Sequence, residues 1–341
     1  MLLDRLQIRP VFAAALLAVC AMTDPAFAQQ SRTPPPLLIK AGISDPVNTV
    51  LAWYMSRAAG LYAAQGLNVD IINMNGGSKG AEELQAGRID VMHVGLSSVI
   101  RVNQAGGDLR TIGSLSNTIR FTFFSAPGVM SAADLKGGVV GVSTLGSESD
   151  STVTLALAKL GLTRDDVIIK AYGGSAHRLA AVRSGEIKAT ALNEPGASQA
   201  RAEHVNVLVD LVPEQIPWLF SGIVVRRADI AARRDLFTRF LKASIEGNYI
   251  ALTDPKRAKE VLAKELKIKN AKILDITYED FQHQSPPNLE PSAAGAQNIL
   301  KQFPKAAQNV GDYVDTSLLD ALKSQGFFTE MQQKYGMGKS P

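Results

Sequence analysis

The chain has 341 residues, a formal charge of +4, 46% hydrophobic and 20% charged residues, enough apolar material for two ordinary domains with cores of their own. Aromatic residues make up only 6%, and basic pairs such as Arg226-Arg227 and Arg233-Arg234 are interrupted by acidic and apolar neighbours, which argues against a base-stacking RNA reader or a nucleic-acid stripe. Cys20 is the single cysteine and falls in a segment expected to be removed, so disulfides, thiol nucleophiles and Cys-ligated zinc drop out together.

Residues 1–28 read as a secretory signal peptide. Arg5 and Arg9 give a positive start, Val11–Cys20 is an apolar run, and Ala26-Phe27-Ala28 is a small-x-small cleavage site before Gln29. The run is shorter than the about 20 residues that a spanning helix needs. Export without disulfides fits a periplasm. Residues 29–36 end in three prolines and read as an extended, flexible leader.

From there strands and short helices alternate. A strand runs from Leu37 to Gly42, a helix from Val50 to Ala59 is closed by Gly60, and a second strand runs from Val69 to Asn73. Gly76-Gly77-Ser78 opens a helix to Ala86, Asp90–Val94 is a strand, and Ser97-Ser98 opens a helix to Gln104. Trp53 and Tyr54 read as core. Phe121–Phe124 is β-prone and reads as a first crossing between lobes. Ser131–Gly137 is a short helical turn, and Gly138–Ser143 opens the second lobe. A helix Ser151–Leu160, strands Val167–Ala171 and Val205–Val209, and a strand ending at Leu192 complete it. Ser221–Val225 reads as the return crossing. One long helix, Asp229–Ile250, then carries Phe237, Phe240, Leu241 and Ile245 on one face, and further helices follow. The alternation predicts parallel β-α-β units: lobe 1 over 37–123, lobe 2 over 124–223, and the return part of lobe 1 with C-terminal helices over 224–341. Closure is expected about 123–126 and 222–225.

Two stretches nearly repeat. Gly76-Gly77-Ser78, a helix and Gly87-Arg88-Ile89-Asp90 are answered by Gly173-Gly174-Ser175, a helix and Gly185-Glu186-Ile187-Lys188. Upstream, Lys40–Ser44 is answered by Val139–Ser143. Repeats roughly a hundred residues apart are too long for a solenoid; they fit two similar α/β lobes with a cleft between them.

In parallel α/β sheets the loops at the carboxyl ends of strands line the ligand crevice. Here they are rich in Ser, Thr and Gly: Ser44 and Asp45; Gly77 and Ser78; Ser97 and Ser98; Ser143, Thr144 and Ser147; Ser175; Asn193 and Glu194. Several precede helices, whose free N–H groups and dipole favour an anion by about 0.3–1 kcal/mol each when exposed. Arg178, one turn past Ser175, is placed to complement an acid, and Trp218 to wall the cleft; core packing is the competing role for Trp218. Whether Arg178 or Lys79 reaches the cleft stays open.

Signals for catalysis are poor. There is no Gly-x-Ser-x-Gly elbow, and His93, His177, His204 and His283 form no His-Glu-x-x-His set, so each reads as a cap, core or surface residue. Glu148, Asp150 and Glu194 suit acid–base work or acceptance from a ligand amine, but their spacing demands neither. No catalytic residue, metal or cofactor is expected.

The Gly-Gly-Ser turns, Gly87-Arg88-Ile89-Asp90-Val91 with Gly95 after it, and Asp134-Leu135-Lys136-Gly137 leading to Val140-Gly141-Val142 resemble, in that order, the nitrate/sulfonate/taurine class of periplasmic solute-binding proteins, which is related to the thiamine-pyrimidine-precursor proteins. The resemblance implies a type II periplasmic-binding fold with two crossover strands and delivery of a solute to an ABC permease in the inner membrane; the helix-opening loops make that solute a small organic anion, a sulfonate or carboxylate, and the protein is expected to be a monomer. It places Ser44, Ser78, Ser97, Ser143, Thr144, Ser175 and Glu194 at the ligand. The chain departs from many members at Lys188, where they carry Asp, and at Asn193, where they carry an aromatic residue before Glu-Pro, so the ligand of better-known members does not transfer. Two other readings stay open: pyrimidine-precursor binding or an enzyme on the same fold, and a ligand-sensing adaptor.

Overall fold

The computed structural model describes residues 35–337; the expected signal peptide and most of the leader lie outside the described residues. Ten strands follow in chain order: β1 (Leu37–Ile43), β2 (Leu67–Asn73), β3 (Val91–Val94), β4 (Leu109–Thr118), β5 (Thr122–Ser125), β6 (Val139–Val142), β7 (Ile168–Ala171), β8 (Ala189–Leu192), β9 (Asn206–Asp210) and β10 (Pro217–Arg226). They form two five-stranded sheets, ordered β2-β1-β3-β10-β4 and β7-β6-β8-β5-β9. The two orders match position for position, and the sequence echo maps onto them. β1, β2 and β3 with their helices correspond to β6, β7 and β8, and each Gly-Gly-Ser turn opens a helix, Gly77–Gln85 and Ser175–Ser184.

The parallel units expected from the sequence hold for β1–β3 and β6–β8. The sheets are nonetheless mixed, because the crossing strands enter each of them in the reverse direction. β10 runs antiparallel to β3 and β4, and β5 runs antiparallel to β8 and β9. The crossings also lie elsewhere than expected. Thr122 already pairs with Leu192 and Asp210 in the second sheet, and β10 belongs to the first sheet along its whole length. The chain therefore passes between sheets at 119–121 and 211–216, not at 123–126 and 222–225.

β4 was not legible because its alternation is masked by serines. Ser114 and Ser116 are buried, and their hydroxyls donate to the carbonyls of Ser116 and Thr118. The single long helix expected after β10 is two, Arg227–Ala232 and Arg234–Thr253. Arg233 leaves helical geometry between them, and its guanidinium reaches Asp90 at 2.7 Å.

The first sheet packs on its outer side against the Leu51–Ala58 and Arg234–Thr253 helices. Trp53 there meets Phe240 edge-on at 5.3 Å, and Tyr62 stacks on the same ring. Phe237, Phe240 and Leu241 are fully buried, as the helical spacing implied. A second core includes Val140, Val153, Leu157 and Leu179 of the second lobe. It runs without a break into Val94, Leu96, Val99 and Phe220 of the first, so the lobes meet face to face.

Candidate functional site

The loops at the carboxyl ends of β1, β3, β6 and β8 converge between the sheets, as an open parallel arrangement dictates. They enclose a small cavity of about 60 Å³, room for roughly two waters at about 30 Å³ each. Ser44, Asp45, Gly77, Ser143, Ser147, Ser175, Arg178 and Asn193 line it, together with His93, Phe121, Glu148, Ser149, Phe220 and Ser221. The lining is thus a set of hydroxyls from both lobes, one guanidinium, two carboxyl groups, an imidazole and an apolar wall. Phe121 and Phe220 meet edge-on at 5.1 Å in that wall.

Arg178 enters from the Ser175–Ser184 helix and is 2% exposed. Its Nε donates to the Gly173 carbonyl at 3.1 Å, Nη1 to the Ala191 carbonyl and Thr190 Oγ1, and Nη2 to Ser175 Oγ at 3.1 Å. Among the described residues no carboxylate forms an ion pair with it. Burial pulls its pKa down to about 10, against the opposing charge of Asp45. Lys79 is exposed and does not line the cavity.

Two carboxylates cross the cleft in opposite directions. Asp45, from the first lobe, accepts from the Ser175 N–H at 2.7 Å and so caps a helix of the second lobe. Glu148, from the second lobe, accepts from the Ser97 N–H at 2.7 Å with one oxygen and from Trp218 Nε1 at 2.7 Å with the other. It caps the Leu96–Gln104 helix of the first lobe. Two of the helix N-termini that the sequence marks as anion sites are thus already occupied by the chain's own acids. Burial raises the Glu148 carboxyl to about 7, although the Trp218 and Ser97 donors oppose the shift. His93 is pushed down to about 4 by burial and is neutral at pH 7. Its Nε2 lies 2.8 Å from Thr49 Oγ1, which also accepts from the Ser221 hydroxyl.

The other expected residues sit around the cavity, not in its wall. The Ser78 N–H donates to Thr144 Oγ1 and its hydroxyl to the Leu145 carbonyl, both across the cleft. Ser97 and Ser98 are fully buried behind the wall. Trp218 is core, not a cleft wall, because its ring is 2% exposed and its indole N–H is taken by Glu148. Glu194 faces away, toward the crossing strands, and accepts from the Ser198 N–H at 3.1 Å beside Arg201. It borders a separate cavity of about 200 Å³ with Arg120, Thr122 and Asp280. The sequence reading left out His93, Phe121, Phe220 and Ser221 as lining residues. Phe121 lies in the first crossing as the structure places it, and correct placement of that crossing would have drawn attention to it; Phe220 and Ser221 lie within β10, and Ser221 stood at the edge of the expected return crossing without being marked as lining.

A family model described as NMT1/THI5 like matches residues 48–258. Riboflavin-binding protein RibY of Chloroflexus aurantiacus is 28% identical over 213 residues, 60% of this chain and 60% of that protein; the chain thus matches about 60% of the length of that curated relative. The periplasmic aliphatic sulphonate-binding protein SsuA from Escherichia coli shares the fold with a TM-score of 0.61 at 19% identity, covering 88% of this chain and 99% of that one. The periplasmic nitrate-binding protein NrtA from Synechocystis does so with a TM-score of 0.61 at 14% identity, covering 88% and 89%. The desulfurization enzyme DSZB has the fold as well, with a TM-score of 0.60 at 16% identity over 85% and 99%, so the fold by itself does not separate binding from catalysis.

Proposed function

The chain belongs to the NMT1/THI5-like family, and on that premise we propose that it is the extracytoplasmic substrate-binding protein of an ABC importer. It captures a small organic anion, a carboxylate or sulfonate, between its lobes and delivers it to a membrane permease. The observation that carries this reading is Arg178: a buried guanidinium at a hydroxyl-lined interlobe cavity, bound only to neutral acceptors. A desolvated cation without a counter-ion gains most when an anion arrives. Phe121, Phe220 and Val94 give the rest of the solute an apolar seat. Closure is a population shift, so the solute must contact both lobes to favour the closed state. Arg178 and Ser175 on one lobe and Ser44 and Ser221 on the other supply those contacts.

A second reading has an observation of its own. The likeness to RibY, with two carboxylates and two phenylalanines around the cavity, favours a nitrogen heterocycle such as a pyrimidine or flavin ring, whose N–H groups would donate to Asp45 or Glu148.

Thermal-shift screening against carboxylates, sulfonates, nitrate, pyrimidines and riboflavin separates the two. A solute at a hundred times its Kd stabilises by about 2.7 kcal/mol, which moves the midpoint by several degrees. The anion reading expects shifts confined to anions and abolished in Arg178→Met, since truncating one partner of a buried charge pair costs about 2–5 kcal/mol of binding. A shift with a neutral heterocycle that survives Arg178→Met selects the second reading. A folded protein that responds to nothing on the panel defeats both.

A further inference from the structure

We propose that Glu148 is an interlobe latch that closes the cleft when no solute is bound, its carboxyl group standing at the N-terminus of the Leu96–Gln104 helix where an external anion would otherwise sit. The geometry carries this. Glu148 begins the Glu148–Lys159 helix of the second lobe, and both of its oxygens are used by groups of the first lobe, the Ser97 N–H and Trp218 Nε1. It is 8% exposed, with first-lobe groups on both of its oxygens. Beside it, the Ser151 hydroxyl donates across the cleft to Ser97 Oγ at 2.9 Å. The first lobe also leaves space for it: a Cβ on Gly95 would stand 2.1 Å from Glu148 Cγ. A glycine at the end of β3 therefore admits the carboxylate, and any side chain there would expel it.

The latch responds to pH. The ionisable groups around it are His93 on β3, Arg101 of the Leu96–Gln104 helix, which lies against Gly146, Asp45 and Arg178 across the cavity, and Asp150 on its own helix, which is paired with Arg164. His93 is neutral, and burial is the dominant influence on Glu148, raising it from 4.5 to about 7 in the closed state. When the lobes part, the carboxyl returns to water and its ordinary value. A group raised in the closed state favours closure most below its open-state pKa, and that contribution is lost as pH rises through the closed-state value. For these two values the closing constant falls roughly 70-fold between pH 5 and pH 8. Acidic surroundings close the empty protein, and alkaline ones open it.

The test uses solute-free protein, so it stands or falls separately from the identity of the solute. Small-angle scattering gives the radius of gyration, and fluorescence in a Trp53→Phe background, where Trp218 is the one remaining tryptophan, reports on the latch. The wild type should expand between pH 5 and pH 8. Glu148→Ala, which lacks both acceptor oxygens, should be expanded at both. Gly95→Ala keeps the carboxylate but displaces it, and should behave like Glu148→Ala. Glu148→Gln, with one acceptor oxygen and an amide that cannot accept from the second donor, should lie between and show no pH dependence. Circular dichroism establishes that each variant is folded. A wild type whose radius of gyration is constant from pH 5 to pH 8, or folded Glu148→Ala and Gly95→Ala proteins as compact as the wild type, would overturn the proposal.

Discussion

Two buried groups in the same cavity wall are expected to oppose each other in the dependence of stability on pH. His93 is held at about 4 against an ordinary 6.5, and Glu148 at about 7 against 4.5. At about 1.36 kcal/mol per unit, each shift amounts to about 3.4 kcal/mol of linkage. The signs differ. His93 has a depressed pKa, so its contribution is present above 6.5 and is lost as pH falls toward 4, where the unfolded chain binds the extra proton. Glu148 has a raised pKa, so its contribution is present below 4.5 and is lost as pH rises through 7. Between these limits the two nearly cancel in the wild type. Urea unfolding of wild type, His93→Gln and Glu148→Gln over pH 4 to 8 isolates each term, because carboxylates common to all three vanish from the differences. Relative to Glu148→Gln, the wild type should gain about 2.5 kcal/mol as pH falls from 8 to 5. Relative to His93→Gln, it should lose about 3 kcal/mol as pH falls from 7 to 4. Difference curves flat within the extrapolation error of about 10–15% would mean that neither group is desolvated as the geometry requires.

Two further expectations concern the frame around the cleft. Asp280 accepts from Arg120 Nε at 2.9 Å, from Asn48 Nδ2 at 2.8 Å and from Gln284 Nε2 at 2.6 Å, and the Arg120 side chain is 4% exposed. Asp280→Ala leaves that charge buried at the first crossing and should cost about 3–5 kcal/mol in urea unfolding. Gly247 lets the Arg234–Thr253 and Leu51–Ala58 helices touch, and a Cβ there would stand 2.0 Å from Ser56 Oγ and 2.7 Å from the Ala52 carbonyl. Gly247→Ala should therefore destabilise by about 1–3 kcal/mol, read as a lower thermal midpoint, with solute affinity unchanged because the site lies on the far side of the sheet.

The two-lobe plan was legible because a sheet order is written into local pattern: apolar strands, Gly-Gly-Ser turns and helices recur in the same succession, and β1–β3 and β6–β8 follow that echo. The strands that tie the lobes together were not legible as such. β5 and β10 are apolar in the same way as any buried strand, and nothing in Thr122–Ser125 or Pro217–Arg226 states which sheet they join; that choice is made by pairing with residues such as Leu192 and Val94, far along the chain. β4 escaped for a different reason: buried serines that donate to nearby carbonyls look polar in sequence and behave as core.

The cleft shows the same division between local and distant information. Serines that open helices can be recognised one at a time, and many of those loops do meet at the cavity. What fills a helix terminus cannot be recognised locally, because Glu148 lies 51 residues from Ser97 and Asp45 lies 130 residues from Ser175. The reciprocal caps alter the chemistry expected of the cleft. Two of the helix N-termini that would have drawn an external anion are already met by the chain's own carboxyl groups, so the attraction for an anion rests mainly on Arg178, whose partners are neutral oxygens. With Asp45 and Glu148 ionised and Arg178 charged, the cavity wall carries a net charge of −1; with Glu148 protonated it carries none. An anion entering beside Arg178 therefore meets less repulsion when Glu148 holds its proton, which is also the condition under which the latch closes. Closure and anion capture are thus biased in the same direction by a single carboxyl group.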